Sequence, residues 1–90
     1  MSDPKEAMLL EFPCRFPIKV MGRDAKSFRR TAIALVEEHT GKIPEDAISS
    51  SSSRNGNFLS ITITITAESQ DQLDNIYRAL SGHDEILVAL

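Results

Sequence analysis

Ninety residues, 41% of them apolar, can close one small core and no more, so the chain reads as a single domain. A formal net charge of −3 creates no overall field toward nucleic acid or an anionic membrane, and a lone cysteine, Cys14, excludes an internal disulfide and a cysteine-built metal site. No apolar run nears the roughly 20 residues that span a bilayer, and the start lacks a basic stretch before an apolar core, so a cytoplasmic protein with no membrane contact is expected.

In chain order, residues 1–8 read as a loose polar tail and residues 9–90 as the folded domain. Leu9, Leu10 and Phe12 form a short apolar extended segment, while Pro13 and Pro17 remove amide donors and oppose a regular ladder there. Phe16, Ile18 and Val20 then alternate with Pro17, Lys19 and Met21, which predicts a first strand over 16–21 ended by Gly22. From Asp24 to His39 the residues Phe28, Ala32, Leu35 and Val36 recur at helical spacing. Asp24 or Ser27 stands where a cap is needed, Gly41 suits the left-handed exit, and Pro44 forbids continuation.

A second strand is expected between Ala47 and Ser53, and its run of serines, with little to bury, suits a sheet edge. Asn55-Gly56 tolerates the positive φ of a tight two-residue hairpin, so this strand should pair antiparallel with the next. Phe58 to Thr66 alternates without a break, placing Leu59, Ile61, Ile63 and Ile65 on one face and Ser60, Thr62, Thr64 and Thr66 on the other. Ser69 with Gln72 has the spacing of a capping box, and Leu73, Ile76, Tyr77 and Leu80 follow at helical spacing until Gly82. Residues 85–90 read as a last strand with Ile86, Val88 and Leu90 on one face and Leu87 and Ala89 on the other.

The order strand, helix, strand, strand, helix, strand is an α+β ferredoxin-like βαββαβ sandwich: a four-stranded antiparallel sheet with two helices on one face. Right-handed crossovers put the first and third strands in the centre. The uncovered face should then carry Lys19, Met21, Phe58, Ser60, Thr62 and Thr64, with Leu87 and Ala89 beside them, and it is the candidate ligand or partner face.

Leu9-Leu10-Glu11-Phe12-Pro13, the run Phe16-Pro17-Ile18-Lys19-Val20-Met21-Gly22 and the hairpin segment Ser52 to Ile63 together resemble the YbeD-like family of small bacterial proteins of unknown function. The resemblance covers roughly residues 9 to 90. It implies a ferredoxin-like domain similar to the ACT-type regulatory domains that bind amino acids at subunit interfaces, and it implies no activity.

Candidate chemistry is sparse. Cys14 next to Arg15 has the elements of an activated thiol, but side chains adjacent along an extended segment point apart, and a packed, inert thiol is the simpler reading. His39 near a helix end and His83 in a loop have no companions at ligand spacing, so no metal and no cofactor are expected. From Arg15 to Arg30, six cations face Asp24 alone; Arg23, Lys26, Arg29 and Arg30 form a candidate basic patch for an acidic partner or RNA. An RNA-recognition surface on this topology stacks bases on aromatic strand residues, whereas the third strand offers hydroxyls after Phe58, which disfavours nucleic acid. Met21-Gly22-Arg23-Asp24 is too thin for a phosphate-cradling loop. The expectation is a non-catalytic, ACT-like regulatory or protein-interaction module, a homodimer or the binder of a protein or small effector. The alternative is an adaptor that takes RNA or an acidic protein through residues 15–30.

Overall fold

The computed structural model describes residues 11–23, 26–53 and 56–90. Its elements are β1 (Cys14–Arg23), α1 (Lys26–Thr40), a short 3-10 turn (Glu45–Ala47), β2 (Ile48–Ser52), β3 (Phe58–Ala67), α2 (Gln70–Ser81) and β4 (Val88–Ala89). The sheet order is β2-β3-β1-β4 with antiparallel pairs throughout, so β1 and β3 are central and the serine strand β2 is an edge, as the alternation and the crossovers predict. The expected tail over residues 1–8 and the candidate cap Asp24 lie outside the described residues, as does Asn55.

The isoleucines of β3 are the clearest case of sequence becoming packing. Ile61 and Ile63 are wholly buried and Ile65 nearly so, in one cluster with Ile18 and Val20 of β1, Phe28, Ala32 and Val36 of α1, and Leu73, Ile76 and Leu80 of α2. Each fully buried aliphatic side chain contributes about 1.5–3 kcal/mol relative to exposure, so the shared face of β1 and β3 under the helices is the main stabilising layer. The helix ends are built locally. Gly41, at φ 83°, ends α1 with its amide donating to the Glu37 carbonyl at 2.8 Å. Ser69 caps α2, its hydroxyl accepting from the Gln72 amide at 3.1 Å. Gln72 departs from the reciprocal box: its Oε1 accepts from the Glu68 amide and its Nε2 donates to the His39 carbonyl, 2.8 Å away, tying the two helices together.

Four expectations are corrected. β1 runs from Cys14 to Arg23 rather than 16–21, because Gly22 does not break it: the backbone passes directly beneath the Phe28 ring and the Glu85 carbonyl, where a Cβ would collide. Pro17 fits within this central strand because, by the alternation of the β1–β4 bonds at Lys19 and Met21, its missing donor faces the β4 side, beyond where β4 pairs. Ser27 lies inside α1, and its hydroxyl donates to Glu85 instead of capping. The β2–β3 hairpin is not a two-residue turn. Ser53 donates to the Phe58 carbonyl at 2.8 Å, which leaves four residues in the loop, and Gly56 supplies the positive φ of 72°.

The fourth correction concerns the last strand, which is only two residues long. Met21 stands opposite Val88 while its carbonyl accepts the Leu87 amide at 2.9 Å, so two residues face one, as in a β-bulge. The extra residue shifts the alternation. Ile86 is buried and Ala89 sits opposite core-facing Val20, while Val88 and Leu90 turn to the uncovered side with Met21 and Lys19.

Candidate functional site

The face of the sheet away from the helices gathers the side chains that alternate with the core. From β1 come Arg15, Pro17, Lys19, Met21 and Arg23; opposite them on β3 stand Thr66, Thr64, Thr62, Ser60 and Phe58 in that order. Ser49 and Ser51 of β2 extend the hydroxyl field next to Thr62 and Ser60. All six residues expected on this face, Lys19, Met21, Phe58, Ser60, Thr62 and Thr64, are therefore on it. Ala89 is not, for the bulge turns it to the helix side. Arg15, Arg23, Val88 and Leu90 belong to the face and were missed. The period of two extended past residues 16–21 in β1 would have found the arginines, whereas nothing local announces the bulge.

Two properties set this surface apart. Arg15, Lys19 and Arg23 recur every fourth residue on one strand face, about 13 Å apart at the usual rise of ~3.3 Å per residue, and no carboxylate shares the face among the described strand residues. The positive column ends at Phe58, whose ring centroid lies 6.0 Å from the Arg23 guanidinium carbon, within cation–π range. Beside it lies an apolar corner, where Val88 and Leu90 are 42% and 69% exposed next to Met21.

The run of cations from Arg15 to Arg30 is thus divided by the fold. Arg15, Lys19 and Arg23 lie on the sheet, while Lys26, Arg29 and Arg30 of α1 line a groove of about 570 Å³ on the helix side with Ile33, Ala34, Glu37 and Leu59. Arg29 is held toward the 3-10 turn by an exposed ion pair with Glu45 at 3.3 Å. Glu37 Oε2 accepts the Ile43 amide at 2.9 Å.

Residues 7–90 match the family described as "Protein of unknown function (DUF493)". The chain belongs to the DUF493 family. Among the relatives of this DUF493 domain, "UPF0250 protein" of Chromobacterium violaceum is 42% identical over 90 residues, covering both chains completely. "UPF0250 protein" of Janthinobacterium sp. is 46% identical over 88 residues, 98% of this chain and 96% of the other. "UPF0250 protein" of Paraburkholderia phytofirmans is 40% identical over all 90 residues of both. These relatives place the chain where its opening and hairpin segments pointed, in the bacterial YbeD family. The solution structure of protein HP0495 from H. pylori has a TM-score of 0.67 to this DUF493 domain, covering 100% of this chain and 94% of that one. At 17% identity that likeness shows the ferredoxin-like fold alone.

The groups weighed for chemistry occupy structural positions in the DUF493 domain. Cys14 is half-buried at the start of β1, opposite Ala67 and packed on the core. His39 lies in the last turn of α1 and lends its carbonyl to Gln72. His83 Nδ1 accepts the Glu85 amide at 3.1 Å, tightening the loop after α2. Glu85 accepts from Ser27 at 2.6 Å and from Thr31 at 2.8 Å, and these hydroxyl bonds hold its carboxyl below the usual carboxylate range. Among the described residues, no three metal-ligating side chains converge, and no helix is long and apolar enough to cross a membrane.

Proposed function

We propose that this DUF493 domain is a non-catalytic, ACT-like regulatory or protein-interaction module whose recognition surface is the uncovered sheet face. The observation that carries the reading is the composition of that face: a column of three cations, flanking hydroxyls, an apolar corner and no carboxylate among the described strand residues, the nearest acids being Asp46 and Glu68 beside Arg15 at one end. A rigid strand scaffold presents these groups at fixed spacing, which suits an anionic, partly apolar effector or partner patch. Cys14, His39 and His83 serve packing and helix or loop ends, which supports the non-catalytic part of the reading. A lone, half-buried thiol fits a reducing, cytoplasmic setting. Dimerisation through the same face or an edge strand belongs to this reading, because Val88 and Leu90 expose apolar surface beside it.

The test is a backbone-amide NMR titration of the full chain with pooled amino acids and anionic metabolites, alongside sedimentation at micromolar concentration. Shifts centred on Lys19, Met21, Ser60 and Thr62, or a dimer that broadens them, are the expected result. A monomer whose sheet-face amides stay in place across all pools would overturn the reading.

A further inference from the structure

The outer edge of β2 and the cationic groove beside it lie apart from the uncovered face and serve no purpose in the reading above. In the antiparallel ladder Ser49, Ser51 and Ser53 stand opposite Thr62, Ser60 and Phe58, and the Ser53 amide donates to Phe58. Residues 49, 51 and 53 therefore direct their backbone groups into the sheet, and Ser50 and Ser52 direct theirs away from it. The Ile48 amide is already used by the Glu45 carbonyl, so the outward row consists of the amides of Ser50 and Ser52 and the carbonyls of Ile48, Ser50 and Ser52. β2 carries no proline, no charge and no bulge, devices that commonly blunt an edge. Its serines deny an apolar zipper to a chance neighbour while leaving the ladder groups accessible.

On the helix side, Ser52 pairs with Leu59, which floors the groove. With Leu59 the groove is lined by Ile33 and Ala34, by the cations Lys26, Arg29 and Arg30, and by one acid, Glu37, whose Oε2 already accepts the Ile43 amide. These cations occupy the start of α1, which has no acidic residue in its first turn, whereas a helix N-terminus is stabilised by acids by about 0.3–1 kcal/mol each. Helix stability therefore does not account for their placement. A strand added to β2 would lie about 4.8 Å beyond it, and alternate side chains would rise on the side of these cations.

We infer that β2 accepts an extended acidic peptide by strand addition, its outward backbone paired with Ser50 and Ser52 and its helix-side acidic and aliphatic residues received by the Lys26, Arg30 and Leu59 groove. Charge decides between this occupant and a second copy of the chain. Antiparallel self-pairing of β2 would bring two sets of Lys26, Arg29 and Arg30 to the same side of the joined sheet, where like charges oppose association.

The probe is an acetylated, amidated heptapeptide in which threonines alternate with glutamate, valine and glutamate, compared with a counterpart bearing lysine for glutamate. Amide hydrogen exchange and chemical shifts are followed on the full, isotope-labelled chain. The acidic peptide should slow exchange at Ser50 and Ser52 and shift Leu59, Lys26 and Arg30, and affinity should fall about tenfold in high salt. Lys26→Glu with Arg30→Glu should lower affinity at least about tenfold without loss of folding, since acids are welcome at that helix end. Ser50→Pro removes an outward donor and should abolish protection at Ser52; if that variant does not fold, exchange in the unmodified chain decides alone.

No protection at Ser50 and Ser52, or equal protection by the lysine peptide, would overturn the inference. So would protection of the protein alone that grows with concentration alongside a dimer, which would make a second copy the occupant. Shifts confined to Lys19, Ser60 and Thr62 would sink it while leaving the sheet-face reading standing, and edge protection with a silent sheet face would do the reverse.

Discussion

Tyr77 is the only tyrosine of a chain without tryptophan, so its ionisation can be read in ultraviolet absorbance with no other group beneath it. Its ring meets Phe16 edge-on at 6.4 Å, and its hydroxyl donates to the Leu90 carbonyl at 2.8 Å, joining α2 to the segment after β4. Partial burial raises its pKa above the ordinary 10.0. A folded value above the unfolded one means that the contribution to stability is intact below the ordinary pKa and is lost as pH rises through the folded value. The tyrosinate titration of the native protein should therefore have its midpoint above 10.0, falling back to it in denaturant. A native midpoint at or below that value would contradict the packing described for Tyr77. Gly22 makes the complementary point about space. A Cβ there would lie 2.4 Å from two Phe28 ring carbons and 2.7 Å from the Glu85 carbonyl oxygen, and Phe28 is too well buried to swing away. Gly22→Ala should lower stability by about 1–3 kcal/mol, checked by denaturant melts against Gly41→Ala, whose Cβ would meet nothing and whose cost would come only from its positive φ.

Beyond the ten-residue pairing of β1 with β3, side-chain ties join the elements, and Glu85 is the plainest of these. It connects the loop before β4 to α1 through Ser27 and Thr31, and both hydroxyls favour its ionised form. A carboxyl depressed in the folded state contributes stability above its unfolded pKa and loses that contribution as pH falls through the folded value. The gap in melting temperature between the native protein and Glu85→Gln should thus be open at neutral pH and close in acid; a gap that stays constant with pH would show that the carboxylate charge plays no part. The same region shows why some elements could be read in sequence and others could not. β3 and α2 are encoded by their own residues, through an unbroken alternation of isoleucine with threonine and through Ser69 at the cap, so their type and facing follow locally. The lengths of β1 and β4 depend on partners. Gly22 looks like a stop until Phe28 is seen to need its bare backbone, and the two-against-one pairing at Met21 exists only once β1 and the last segment are side by side. Hence the hydroxyl part of the candidate face was legible from the strand period, while Val88 and Leu90, placed on it by the bulge, were not.

At the scale of the molecule, one sheet separates two surfaces: its covered side holds the fold together, and its uncovered side and β2 edge are the surfaces proposed above for recognition. The division also splits a basic run that is continuous in sequence, sending Arg15, Lys19 and Arg23 to one side and Lys26, Arg29 and Arg30 to the other. Linear charge density told where cations are concentrated but could not tell that two surfaces share them, because that depends on where β1 ends and α1 begins. Two neighbours in the middle of β3 test the separation directly. Ile63 is wholly buried between β1 and the helices, so Ile63→Ala removes packed methyl groups and leaves a cavity, at a cost of about 2–5 kcal/mol. Thr62 points the other way, opposite Lys19 and Ser49, and Thr62→Val keeps the β-branched shape the strand prefers while removing only a hydroxyl from the uncovered face. That change should leave stability within about 0.5 kcal/mol and alter only effector or partner binding, read in the titration described for the sheet face. If Thr62→Val unfolds the protein as readily as Ile63→Ala, the face is part of a second core and cannot be a recognition surface; if Ile63→Ala is tolerated, the helices do not close the sheet as described.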